Sequence, residues 1–134
     1  MGGITLIHLI EAYPAYDALV TEVFQRIGNG TLTGYTSAIS LTEVLALPMR
    51  LGNASLQQEY RDLLLHSNHF RTVWIDFGIA ESAAELRARY NLRTPDALQI
   101  AAALSVGCEA FLTNDVTLKR VTDLRILVLD GLEG

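Results

Sequence analysis

Basic charge is what this sequence has least of: ten lysines and arginines face fifteen acids in 134 residues, giving a net charge of −5 and a pI near 5.0. That balance excludes a protein that grips nucleic acid by general electrostatic attraction, so any nucleic-acid role must be local. Cysteine is nearly missing too. A lone Cys108 excludes an internal disulfide and suits a reducing compartment, so a cytoplasmic location is expected. No uncharged apolar run approaches the roughly 20 residues that span a bilayer, and Met1-Gly2-Gly3-Ile4 lacks the basic flank of a signal peptide. Linkers, repeats and low-complexity stretches are absent as well. With half of its residues apolar, the chain reads as a single domain over residues 1–134.

What is there alternates between helical and extended patterns. Pro14 opens a helix that Gly28-Asn29-Gly30 stops, and residues 32–37 form a short Thr-rich strand. A helix from Ser40 runs to Pro48, which ends or kinks it, and Asn53 caps the next one. Residues 72–75 read as a strand, 79–90 as a helix behind Asp76, and Thr94-Pro95 opens a very apolar helix that Gly107 closes. The runs 111–113 and 126–129 have the β-rich, continuously apolar character of strands buried inside a parallel sheet. Strands separated by helices imply an α/β sandwich with a parallel sheet, and such sheets bind ligands beyond the carboxyl ends of their strands.

Three acids fall at those ends: Glu43, Asp96 and Asp115. Each has a plain structural reading. Ser40-Leu41-Thr42-Glu43 matches a capping box, Asp96 suits the first turn of a helix dipole, and Asn114-Asp115 is a common turn pair. Taken together they imply more. Carboxylates brought to one sheet edge repel unless a cation compensates them, and a set without lysine or histidine describes a hard-cation site for Mg²⁺ or Mn²⁺.

Glu43 in SAISLTEVLALPMR, Asp96 in LRTPDALQIAAAL, Asp115 in FLTNDVTLKR and the closing LRILVLD resemble, in order and over nearly the whole chain, the PIN domain and in particular VapC-type toxins. That resemblance implies a three-layer sandwich with a mainly parallel central sheet flanked by helices. It also implies a Mg²⁺- or Mn²⁺-dependent endoribonuclease that cleaves RNA phosphodiesters, forms a homodimer and is restrained by an antitoxin protein. By position, Glu43, Asp96 and Asp115 match the family's second, third and fourth acids as catalytic and metal-binding residues, and Thr113 and Asn114 match polar neighbours that steady the last. Arg50, Arg93, Lys119 and Arg120 lie close to these acids in sequence and are candidate RNA contacts.

The amino terminus departs from the family pattern. Aligning Ile4 to Ile10 with the family's first helix puts Gly2 where the first aspartate belongs and leaves no residues for the first strand. The expectation is an amino-terminally truncated domain lacking its central strand and first acid, with impaired cleavage. The alternative is a catalytically inactive module that binds an antitoxin or dimerises. A phosphate-binding module of flavodoxin-like form is a third reading, for which Lys119 is poorly placed. His66 and His69 read as solvated or capping, His8 as packed, and Trp74 as a strand residue in the core or an interface.

Overall fold

The computed structural model describes residues 3–6, 25–113 and 115–128. Its centre is a five-stranded, wholly parallel sheet of β1 (Gly3–Leu6), β2 (Thr33–Ser37), β3 (Phe70–Val73), β4 (Ala110–Thr113) and β5 (Arg125–Val128), in the order β3-β2-β1-β4-β5. Parallel neighbours need crossovers, and helices supply them. Helices α1 (Ile39–Arg50) and α2 (Ala54–His66) join β2 to β3, and α3 (Phe77–Tyr90) and α4 (Thr94–Ser105) lead from β3 back past the centre to β4.

The first strand is therefore present, correcting the expectation that it is missing. Gly3–Leu6 occupies the middle of the sheet, with Ile4 opposite both Gly34 of β2 and Ala110 of β4. A strand enclosed on both sides reads as an unbroken apolar run with no alternation to betray it, and the run Ile4-Thr5-Leu6-Ile7 has that character. What the sequence does lack is the acid: the first sixteen residues hold no aspartate and one glutamate, Glu11, which lies outside the described residues. The helix expected from Pro14 lies largely outside them too, as do His8 and Asn114; residues 25–28 are helical and end at Gly28-Asn29-Gly30 as expected.

Local chemistry sets most other boundaries. Asn53 caps α2 by accepting from Leu56 N at 3.0 Å, and Asp76 caps α3 by accepting from Ile79 N at 2.8 Å. Asn91, in the left-handed region at φ 55°, ends α3. Pro48 does not stop α1 at once; the helix runs two residues further, to Arg50. The β3 strand begins two residues earlier than its β-branched composition suggests and ends at Val73, so Trp74 lies beyond it and is 84% exposed rather than in the core.

The core is an alanine-rich interface between α3, α4 and the sheet. Ile79, Ala83 and Leu86 of α3 meet Ala97, Ile100 and Ala101 of α4 over Phe111, Leu118 and Val121. Small side chains bring α4 close, and each fully buried large one contributes about 1.5–3 kcal/mol. Cys108 is buried, as the reading of a packed thiol expects. Gly34 is required for the same closeness, because a Cβ there would stand 2.6 Å from Phe70 Cδ1 and 2.7 Å from Ile27 Cδ1.

Candidate functional site

The topology reverses direction at β1, with β2 on one side and β4 on the other, and a crevice beyond the carboxyl ends of such strands is where open α/β sheets bind ligands. Three elements deliver an acid there. Asp115 follows β4 by two residues and caps a 3₁₀ turn (Val116–Arg120), accepting from Thr117 N at 3.0 Å and Thr117 Oγ1 at 2.7 Å. Its own N–H donates to Thr113 Oγ1 at 3.1 Å, and Thr113 is fully buried, which suits the steadying role its position implies. Asp96 sits in the first turn of α4 with its side chain 5% exposed. Glu43, half-buried, stands on the second turn of α1.

Arg93 shows that the three share one neighbourhood. Its Nε donates to Asp96 Oδ2 at 3.1 Å. The guanidinium is held above its ordinary pKa first by that hydrogen bond and by the Asp96 charge, against an opposing contribution from burial, and least by the charges of Asp115 and Glu43. Asp96 is the carboxylate that pairs with Arg93; Asp115 and Glu43 act on it only from further off. The Asp115 carboxyl is in turn lowered, first by the Thr117 hydroxyl and also by the charges of Arg93 and Arg120, while burial works against this. It stays ionised at neutral pH.

A buried polar chain fixes the elements that carry Glu43 and Asp96. Thr36 Oγ1 at the end of β2 shares a 2.6 Å hydrogen bond with Ser40 Oγ, and Gln99 Nε2 of α4 donates to the same Ser40 Oγ at 3.0 Å. Ser40 is one turn before Glu43 and Gln99 one turn after Asp96, so the chain sets α1 against α4 at the depth of the acids. This overturns the capping-box reading of Glu43. The residue at the N-cap is Ala38, without a side-chain bond, and Ser40 lies inside the helix with its hydroxyl committed to Thr36 and Gln99. Gln99 was not among the residues singled out by sequence reasoning; its signal is a lone amide in the apolar run TPDALQIAAAL. Its Oε1 is buried with no hydrogen-bond partner among the described residues.

The candidate RNA contacts divide. Arg120, exposed, donates to the carbonyls of Tyr90, Asn91 and Thr117, securing the turn between α3 and α4 that presents Arg93 and Asp96. Arg50 and Lys119 are exposed. His66 and His69 are exposed as well, His69 with a positive φ of 61°.

Carboxylates suit a hard divalent ion, and the nearly buried Asp96 already holds a cationic partner in Arg93. Among the described residues no three His, Cys, Asp or Glu side chains are grouped closely enough to hold a metal by themselves. Mg²⁺ does not demand three: it keeps several waters and takes one or two carboxylates together with substrate phosphates. Among the described residues no helix is long and apolar enough to cross a membrane.

Comparison with known proteins agrees with this architecture. The family profile of the PIN domain matches residues 7–124. A toxin–antitoxin complex from Klebsiella pneumoniae contains a chain of similar fold, with a TM-score of 0.72, 18% identity, and 96% of this chain and 98% of that chain covered. VapBC2 from Rickettsia felis, bound to a DNA fragment from its promoter, gives a TM-score of 0.73 at 16% identity over 96% and 98% of the two chains. FitAcB from Neisseria gonorrhoeae gives 0.63 at 17% identity over 95% and 97%. Among curated proteins none matches in sequence.

Proposed function

The chain belongs to the PIN domain family, and from that premise we propose that it is a divalent-metal-dependent endoribonuclease acting as the toxin of a toxin–antitoxin pair. The observation that carries this reading is the nearly buried Asp96 at the start of α4, paired with Arg93 at 3.1 Å, together with Asp115 just past the carboxyl end of β4. An antitoxin partner is supported by the complexes in which chains of this fold are found. A homodimer and a cytoplasmic setting belong to the same proposal.

Asp96 and Asp115 would hold a Mg²⁺ or Mn²⁺ ion, with Glu43 as a further ligand or as the group that orients water. When bound, such an ion supplies a polarised water for attack on phosphorus and neutralises charge on the leaving oxygen. Asp96 is held in place by burial and by the Gln99–Ser40 bond one turn away. Asp115, lowered by Thr117, enters the site already ionised, so no proton has to leave it first. Arg50 and Lys119, both exposed, are available to phosphates along the RNA. With no acid in β1 among the described residues, the described part of the site offers Glu43, Asp96 and Asp115 alone, and weak ion affinity with slow turnover is part of the proposal.

That same deficit favours a second reading, a module that binds an antitoxin without cutting RNA. One experiment separates them. Incubation of end-labelled single-stranded RNA with the protein in Mn²⁺ should give fragments that EDTA and Asp96→Asn abolish. Intact RNA under all conditions, together with antitoxin binding, establishes the second reading instead.

A further inference from the structure

We propose that Arg93 is the site's built-in counter-ion, holding the position in the acidic field that a divalent ion takes, so that ion binding and the Arg93–Asp96 pair exclude one another. The inference rests on the metal-dependent reading above and assigns it a regulation. The two partners differ sharply: the side chain of Asp96 is 5% exposed and that of Arg93 is 71% exposed. A buried carboxylate left without a cation is costly, so the Arg93 pairing stabilises Asp96 where it sits. An exposed arginine loses little by swinging into water, because its long side chain regains rotamer freedom and its charge is easily solvated.

The local backbone is built for this exchange. Arg93 is the N-cap residue of α4 with extended φ −70° and ψ 151°, outside the helix, and Asp96 is three residues on inside the first turn. Arg120 clamps the turn before it through the carbonyls of Tyr90 and Asn91, so the backbone stays while the side chain moves. Metal-free, the protein keeps the Asp96 carboxylate paired in its nearly buried place. With an ion present, Arg93 is released beside the site, where its guanidinium can meet an RNA phosphate.

Mn²⁺ titration of the full chain, read by electron paramagnetic resonance of free Mn²⁺, tests this without reference to cleavage. Arg93→Gln should bind Mn²⁺ about tenfold more tightly than the wild type, within the usual range of coupling between two sites, and Arg93→Lys should remain near the wild type. Metal-free Arg93→Gln should melt below the wild type, and saturating Mn²⁺ should close that gap. Unchanged or weaker binding by Arg93→Gln, with Asp96→Asn still abolishing it, overturns the counter-ion proposal and leaves the metal reading standing. Mn²⁺ binding that Asp96→Asn does not diminish, or no binding by the wild type, overturns both.

Discussion

Two arginine–aspartate pairs of nearly equal length flank the α3–α4 hairpin, and they do different work. The outer pair, Arg89 Nη1 to Asp123 Oδ2 at 3.2 Å, ties α3 to the segment before β5 and is joined by the Tyr90 hydroxyl and by Glu85. The inner pair, Arg93 to Asp96 at 3.1 Å, stands at the carboxyl edge of the sheet within the field of two further acids. In the outer pair the carboxylate is 24% exposed, and in the inner one it is 5% exposed. Distance alone does not distinguish a staple from a site. Burial of the acid does.

The largest effect should come from breaking the inner pair. Asp96→Asn, nearly isosteric, is expected to lower Mn²⁺-dependent RNA cleavage by about a hundredfold or more, since even outer partners of metal ligands cost about 10–100-fold; gel analysis of labelled RNA measures it. Ser40→Ala attacks the support behind that pair by leaving Gln99 Nε2 and Thr36 Oγ1 short of a partner. Denaturant unfolding should show a loss of about 1–3 kcal/mol, the usual cost of a buried unsatisfied group. Asp123→Ala cuts the outer pair and should cost only about 0.2–1 kcal/mol by the same measurement, with Mn²⁺ affinity unchanged. A change in Mn²⁺ affinity there would erase the distinction between the pairs.

Acid sharpens the comparison further. Asp123 is lowered first by the Tyr90 hydroxyl and then by Arg89, against a burial contribution, and Asp115 is lowered first by Thr117. A carboxyl with a folded value below its unfolded one favours the ionised folded state. Its contribution is complete above the unfolded value of about 4 and is lost as pH falls through the folded value. Melting temperature should therefore hold steady from pH 7 to about 5 and fall below about pH 4. In Asp123→Asn that fall should be shallower, and in Asp115→Asn it should be shallower as well.

Sequence reasoning reached what local chemistry decides. Asn53 and Asp76 announce helix starts by their own hydrogen bonds, Thr94-Pro95 opens α4 with Asp96 in its first turn, and Asp115 follows β4. It failed where the outcome depends on neighbours distant in the chain. β1 shows no alternation in sequence, as strands in the interior of a parallel sheet commonly do not, and only its pairing with β2 and β4 identifies it. Ser40 looks like a helix cap until Gln99, 59 residues away, claims its hydroxyl. Arg93 carries the same charge as every other arginine, and only the fold places Asp96, Asp115 and Glu43 around it.

Anomalous diffraction from crystals of the wild-type protein soaked in Mn²⁺ reports the ion's position independently of any assay. A peak beside the carboxylates of Asp96 and Asp115, with the Arg93 side chain turned away, is the expected result. Crystals with Asp96 and Asp115 open to solvent, no peak between them and Arg93 still bonded to Asp96 at saturating Mn²⁺ would contradict it.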